Sequence, residues 1–248
     1  MKRLTAEEFR TRKRSDTLVI YGSGFSIRQL TPEDRENLAR FDSISFNWFC
    51  KSNIPTTFYT IREQATLPIR IRPGEEVEDL LETLNGPAYR DTCLIVLDMT
   101  GHTPEAFPWA ADANLDRLHG EGVVLTDLRK GKPSDFRDDI FEVGVHHGKN
   151  SMTTQLHLAV YLGYRSIVFV GVDLYDCRYF WLGEDEDRVS RDSRNLTRHS
   201  RHPTTDATLK AIKATRRRYR IEMYSFNPKS LLTEVLPAGL PNREPITR

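Results

Sequence analysis

Residues 150–175, NSMTTQLHLAVYLGYRSIVFVGVDLY, leave the chain few folding options. Met152, Leu156, Ala159, Val160 and Leu162 recur near helical spacing, and Gly163 is a natural helix stop. Asn150 or Ser151 can cap the start of that helix. SIVFVGVDLY then reads as one continuous apolar strand, which only a sheet covered on both faces can bury. Helix, glycine and two-sided strand in that order are the repeating unit of a parallel sheet. The expected class is therefore α/β: a mostly parallel sheet with helices on both faces.

The rest of the chain repeats the rhythm. TLVIY (17–21) is a short buried strand followed by Gly22, Ser23 and Gly24. Thr31 and Pro32 open a helix in TPEDRENLARF, with acids in its first turn. SISFNWF, TTFYTI, TCLIVLDM and GVVLTDL read as further strands, and GEEVEDLLETLN as a helix. TTDATLKAIKATRRRY predicts a helix, IEMYSF a last strand, and NPKSLLTEVLP a short helix stopped by proline. The first 16 residues read as a basic arm, helical or frayed. Residues 176–201 break the pattern: polar, rich in Arg and Asp, and headed by Tyr179, Phe180 and Trp181. A connection of that length inside a compact domain is expected to be a mobile lid. It leaves from the C-terminal end of the best strand, the edge where open parallel sheets bind ligands.

Charge and cysteine usage narrow the function classes. The 36 basic and 35 acidic residues nearly cancel, which argues against a nucleic-acid binder. Three scattered cysteines without a CxxC suggest a reducing compartment and neither a disulfide framework nor a zinc site. The N-terminal stretch is charged and lacks the apolar core of a secretory signal, and no run approaches the roughly 18 apolar residues of a membrane span. The expectation is one cytoplasmic domain over 1–248, with no transmembrane segment. Its basic arms, KRLTAEEFRTRKR and RRRYR, leave room for peripheral contact with the inner membrane or for a homo-oligomer, against the plainer reading of solvated basic faces.

Several segments can carry chemistry. The glycines of GSGFS permit close backbone approach to a phosphate, or they make only a tight turn. NSMTT is a plain cap or a second anion-holding helix start. His146 and His147 are adjacent, which suits no shared metal, and His199 and His202 have ligand-like spacing without a matching cluster. The DED triplet at 185–187 reads as an acidic solvated loop, so no metal site is expected. His202 stands where the lid ends and the next helix begins; it is a surface histidine or a general base, with Asp206 four residues on.

Taken in order, these pieces resemble the bacterial sialyltransferases of glycosyltransferase family 42. NSMTTQLHLAVYLGYRSIVFVGVDLY is similar to the family's helix and its strand ending G-[IV]-D-[FL]-Y, and HPTTDATLKAIKATRRRYRIEMYSFNPKSLLTEVLP to its H-x-x-x-T-D helix and C-P-N-S-L-L close. TLVIYGSGFSI resembles the strand before G-N-G-P-S-L, and FDSISFNWF the F-D-V-F-R-C-N-Q-F segment. The resemblance implies a Rossmann-like sheet and a metal-independent inverting transfer of an acidic sugar, sialic acid or a relative, from a CMP-sugar donor to a glycan acceptor, with no other cofactor. It implies that Gly22, Ser23, Gly24, Asn47, Thr60, Asn150, Ser151, Met152 and Asp173 stand at donor-side positions. Tyr175 and Tyr179 (or Trp181) would bond the leaving phosphate, and His202 would be the general base.

The chain departs from the family pattern at Ser23, Thr60, Gly148 and Met152. Those changes leave open a different CMP-linked acidic sugar, another nucleotide sugar, or a non-catalytic nucleotide-sugar-binding protein of the same fold. A Mg²⁺-dependent nucleotide enzyme such as a pyrophosphokinase is a further alternative; it would need strand-end carboxylates such as Asp98 and Asp173.

Overall fold

In the computed structural model, the described residues are 1–61, 77–98, 116–128, 135–147, 150–175, 178–181 and 203–241. Nine described strands pair in parallel throughout: β1 (Lys2–Arg3), β2 (Thr17–Tyr21), β3 (Asp42–Phe46), β4 (Phe58–Ile61), β5 (Cys93–Asp98), β6 (Glu121–Leu128), β7 (Val145–His146), β8 (Ser166–Val170) and β9 (Glu222–Ser225). The spatial order is β1-β6-β5-β4-β3-β2-β8-β9, with β7 beside β6. From β2 the chain builds outward on one side through β6, then crosses to β8 on the other side of β2. Ligand crevices of α/β sheets open at such a reversal, beyond the C-terminal strand ends. The fold is α/β and Rossmann-like, with helices on both faces.

Alternation along each strand sorts the core into two layers. Leu18 and Ile20 of β2 face one side, together with Leu156, Leu158 and Ala159 of helix α4 (Ser151–Tyr161) and Leu209 and Ile212 of α5 (Pro203–Tyr219). Val19 and Tyr21 face the other, with Leu38 of α2 (Pro32–Ala39) and Leu80, Leu81 and Leu84 of α3 (Val77–Asn85). β2 and β8 are buried along their whole length, as their uninterrupted apolar sequences require. Gly163 takes φ +69° after α4, the left-handed conformation of a helix stop.

Three elements differ from the sequence pattern. The basic arm forms β1 and a one-turn helix, α1 (Ala6–Arg10), closed by a Thr5–Glu8 capping box. Its Phe9 is fully buried edge-on to Phe58, 5.6 Å between ring centres, so apolar anchoring overrides the polar look of the segment. SISFNWF is a strand only to Phe46; Asn47–Ser52 curls into a 3-10 turn that buries Trp48, Phe49 and Cys50 in the second layer. The closing NPKSLLTEVLP gives only the 3-10 turn Leu231–Glu234. No helix among the described residues is long and apolar enough to cross a membrane.

Below the sheet, a buried carboxylate ties β2, β3 and β8 together. Asp42 Oδ2 accepts hydrogen bonds from the Arg14 and Ser15 backbone N–H groups (2.6 and 2.9 Å) and from the Tyr164 hydroxyl (2.9 Å). Asp42 is 2% exposed, and its loss leaves the buried Ser15 N–H and Tyr164 hydroxyl without their acceptor. Asp42→Ala is expected to lower unfolding stability by about 3 kcal/mol or more, at roughly 1–3 kcal/mol per orphaned group. Asp42→Asn, which keeps an acceptor oxygen, loses less; urea denaturation of the two variants checks the order.

Candidate functional site

The turns after β2 and β8 meet at the point where the strand order reverses. Gly22 N–H donates to Val170 O (2.7 Å) and Gly24 N–H to Gly171 O (2.8 Å). A Cβ on Gly24 would stand 2.5 Å from Asp173 Oδ2 and 2.7 Å from Gly171 O, and one on Gly22 would collide with Gly171 O and Val172. The missing side chains thus let one turn lie against the other, whatever else the backbone meets.

Asp173, a donor-side position by the family resemblance, is 2% exposed and works as the knot of this edge. Its carboxylate accepts from Ser26 N–H (2.8 Å), Ser26 Oγ–H (2.5 Å) and Asn227 Nδ2–H (3.0 Å), and its carbonyl accepts from Leu231 N–H (3.1 Å). Ser230 Oγ–H adds a 2.6 Å bond to Val172 O. The segments after β2, β8 and β9 are therefore joined through one acid. Leu174, next in line, holds φ +63°, a left-handed conformation that a branched residue keeps only when its neighbours are fixed. It sets the direction of Tyr175, which is half-buried.

The first residues of the expected lid return over the glycine turn. Tyr179 makes an antiparallel bridge with Gly24, and Phe180 N–H donates to Ser23 O (3.2 Å). Phe180 is 6% exposed and packs edge-on to Phe49, which stacks on Tyr21. Tyr179 stacks on Trp181 with ring centres 4.5 Å apart. Of the expected lid, residues 176–177 and 182–201 lie outside the described residues, as does His202.

α4 starts at the same edge of the sheet. Asn150 caps it by accepting Thr153 N–H (3.3 Å), and Asn150 Nδ2–H donates to Thr208 Oγ1 of α5 (2.8 Å). The two helix starts are thus bonded together at the strand ends. Ser151 is half-buried, whereas Met152 is 5% exposed and belongs to the core. Thr60, at the end of β4, is 1% exposed and donates its hydroxyl proton to Gln155 Oε1 of α4 (3.1 Å). β4 lies two strands, about 10 Å, from β2. Asn47 begins the 3-10 turn directly beyond β3, at the same edge. The edge therefore assembles Gly22, Ser23, Gly24, Asn47, Asn150, Ser151, Tyr175 and Tyr179 from four separate parts of the chain. The side chains of Met152, Thr60 and Asp173 are turned into the protein.

Gln155 and a buried histidine cluster were not evident from sequence, because only the packing of α4 on the sheet brings them into view. Gln155 Nε2 is buried and has no hydrogen-bond partner among the described residues. His157 is fully buried: it accepts His146 N–H at Nδ1 (3.0 Å) and donates Nε2–H to Arg137 O (2.8 Å), while Phe136 stacks on its ring. That pattern requires the neutral ring, and burial lowers its pKa to about 4. His147 Nδ1 faces Thr154 Oγ1 at 3.3 Å and Asp127 Oδ2 at 3.9 Å. Among the described residues no group of three or more His, Cys, Asp or Glu is placed to hold a metal ion.

No protein-family model matches the chain, and no curated sequence matches it. Solved structures do. The monofunctional alpha-2,3-sialyltransferase Cst-I from Campylobacter jejuni aligns over 92% of this chain and 82% of its own, with a TM-score of 0.50 at 14% identity. The sialyltransferase CstII from the same organism, solved with the substrate analogue CMP-3FNeuAc, aligns over 94% of this chain and 89% of its own, also with a TM-score of 0.50 at 14% identity. This chain shares their fold.

Two outcomes follow from the geometry. Gly24→Ala is expected to destabilise the protein by about 1–3 kcal/mol, because neither the Asp173 carboxylate nor the Gly171 carbonyl can withdraw; differential scanning calorimetry reads the loss. Burial holds the His157 ring at a pKa of about 4, below the ordinary histidine value of 6.5. Its neutral form therefore contributes fully above pH 6.5, and the contribution is lost as pH falls from 6.5 towards 4. The wild-type melting temperature should fall more steeply over that window than that of His157→Gln.

Proposed function

We propose that the protein is a metal-independent inverting glycosyltransferase that moves an acidic sugar, sialic acid or a close relative, from a CMP donor to a glycan hydroxyl. The observation that carries this reading is the convergence of a glycine turn, two helix starts and two tyrosines at the strand-order reversal. Its fold is shared with two sialyltransferases, one of them solved with a CMP-sugar analogue. The acceptor is a glycan, with no nucleic acid involved.

In this mechanism the donor lies across the edge. The turn Gly22–Gly24 lets the donor lie close against the backbone, and the start of α4, with Ser151 and the Asn150 cap, holds its anionic groups. Asn47 meets the donor from beyond β3. As the bond between the sugar's anomeric carbon and the phosphate oxygen breaks, negative charge grows on CMP. Hydroxyl protons of Tyr175 and Tyr179 meet that charge. The acceptor oxygen attacks the opposite face of the oxocarbenium-like sugar, and His202 takes its proton. Neutral donors suffice because cytidine monophosphate is already a good leaving group.

Met152 in the core and Thr60 turned onto Gln155 favour a second reading, an accessory protein that binds a nucleotide sugar without turning it over. The Mg²⁺-dependent alternative loses its best carboxylate, since Asp173 is engaged by Ser26 and Asn227. Thermal shift with CMP, CDP, UDP and ATP, with and without EDTA, separates the three. The transferase reading expects stabilisation by CMP that EDTA leaves unchanged; stabilisation only by ATP with Mg²⁺ would sink it. His202→Ala is expected to cut turnover by roughly 10²–10⁴-fold while CMP still stabilises the protein. Unchanged turnover removes His202 from the mechanism. CMP binding without transfer to any glycan by the wild type supports the accessory reading.

A further inference from the structure

Gln155 carries an unmet hydrogen-bonding capacity just beneath the ligand edge. It stands in the second turn of α4 and is 0% exposed. Its Oε1 accepts the Thr60 hydroxyl proton at 3.1 Å, while its buried Nε2 has no hydrogen-bond partner among the described residues. A primary amide nitrogen brings two N–H donors, and a buried donor left unpaired is costly. Neighbouring amides at the same edge are paired: Asn150 Nδ2–H donates to Thr208 Oγ1 (2.8 Å) and Asn227 Nδ2–H to Asp173 Oδ1 (3.0 Å).

Two placements fix where Nε2 lies. Helical side chains lean towards the N-terminus of their helix, so the long arm of Gln155 leans towards the start of α4. Thr60 is the penultimate residue of β4, at the C-terminal end of that strand. The carboxamide held between them is level with the strand ends, where the crevice of an α/β sheet opens. Ser151 and Gln155, four residues apart, share one face of α4 with roughly 6 Å between Cβ atoms. Nε2 therefore lies within a side chain's reach of the edge proposed to hold the donor.

The chemistry of the missing partner follows from what is already engaged. The acceptor oxygen of the amide is taken by Thr60, so only its donors remain to be matched. A hydroxyl would bring a proton needing an acceptor of its own. A carboxylate would bring a charge, which is costly to bury beside a neutral amide and a hydroxyl. An amide-type carbonyl oxygen accepts two hydrogen bonds and brings neither a proton nor a net charge.

We infer that Gln155, oriented by Thr60, forms a carbonyl-binding subsite for the donor. Its Nε2–H groups hold an amide-type carbonyl oxygen, supplied by the N-acyl group of the transferred sugar or by the 2-carbonyl of the pyrimidine. The identity of the ligand rests on the transferase reading; the unpaired buried donor rests on the geometry alone.

The test is isothermal titration calorimetry of the full chain with three ligands: CMP, CMP-N-acetylneuraminate and CMP-3-deoxy-manno-octulosonate, whose acidic sugar has no N-acyl group. Gln155→Met keeps the length of the side chain and removes its N–H groups. The double variant Thr60→Val/Gln155→Met removes both ends of the hydrogen bond. Without ligand it is expected to melt no lower than the wild type, because neither end is then left unpaired. If the N-acyl group is held, the wild type binds the N-acylated donor about tenfold more tightly than the octulosonate donor, the effect of one hydrogen bond, and both variants lose that preference. If the pyrimidine carbonyl is held, both variants bind all three ligands about tenfold more weakly. Affinities that the variants leave unchanged overturn the subsite. A loss confined equally to the two CMP-sugars overturns the carbonyl assignment, because the amide then meets an oxygen that both sugars share. Failure of the wild type to bind any of the three removes the transferase reading, and the subsite with it.

Discussion

The buried carboxylate of Asp173 is the constraint from which the ligand edge is built. A carboxylate taken out of water must find donors, and here it finds them on Ser26 and Asn227, the segments after β2 and β9. Three loops that would otherwise diverge from the strand ends are drawn to one point. The close approach that results is what makes side chains intolerable at Gly22 and Gly24. It also supports the strained Leu174 backbone that directs Tyr175. An acid that looks like a ligand-binding group in the sequence is thus the internal support of the groups proposed to bind.

Asp42 does the corresponding work at the opposite edge, where it gathers Arg14, Ser15 and Tyr164 beneath β2, β3 and β8. The central strands are pinned at both ends by buried acids with hydrogen-bonded oxygens. Such pinning keeps the register of β2 against β8, from Thr17 opposite Ser166 to Tyr21 opposite Val170. The proposed catalysis by fixed hydroxyl donors depends on that rigidity, since donors that must reorganise lose most of their effect. The aromatic chain Tyr21–Phe49–Phe180 extends the rigid body outward to the first residues of the expected lid.

The substituted family positions have a common physical consequence. Thr60 is too short to reach out from the strand end and bonds Gln155 instead. Met152 is apolar and packs inward. The edge proposed to hold the donor is therefore formed more by backbone and helix starts than by the side chains of these positions.

Much of the architecture was already legible in the sequence. The uninterrupted apolar runs of β2 and β8 can be buried only between two helical layers, and Gly163 and Asn150 mark the ends of α4 by their own backbone and capping chemistry. These are local properties, decided within a turn or a strand. Tertiary structure alone decided what each candidate residue faces. The same glycine signature fits a phosphate cradle or a tight joint, and the placement of β8 against β2 makes it a joint first. The same acid fits a ligand site or a knot, and Ser26 and Asn227, distant in sequence, make it a knot. Arg28 and Arg178, separated by 149 intervening residues, share one ring only because β2 and β8 are neighbours. Periodicity reports which face of an element is apolar. It carries no information about which distant segment will supply the donor, the acceptor or the charge, because that depends on strand order.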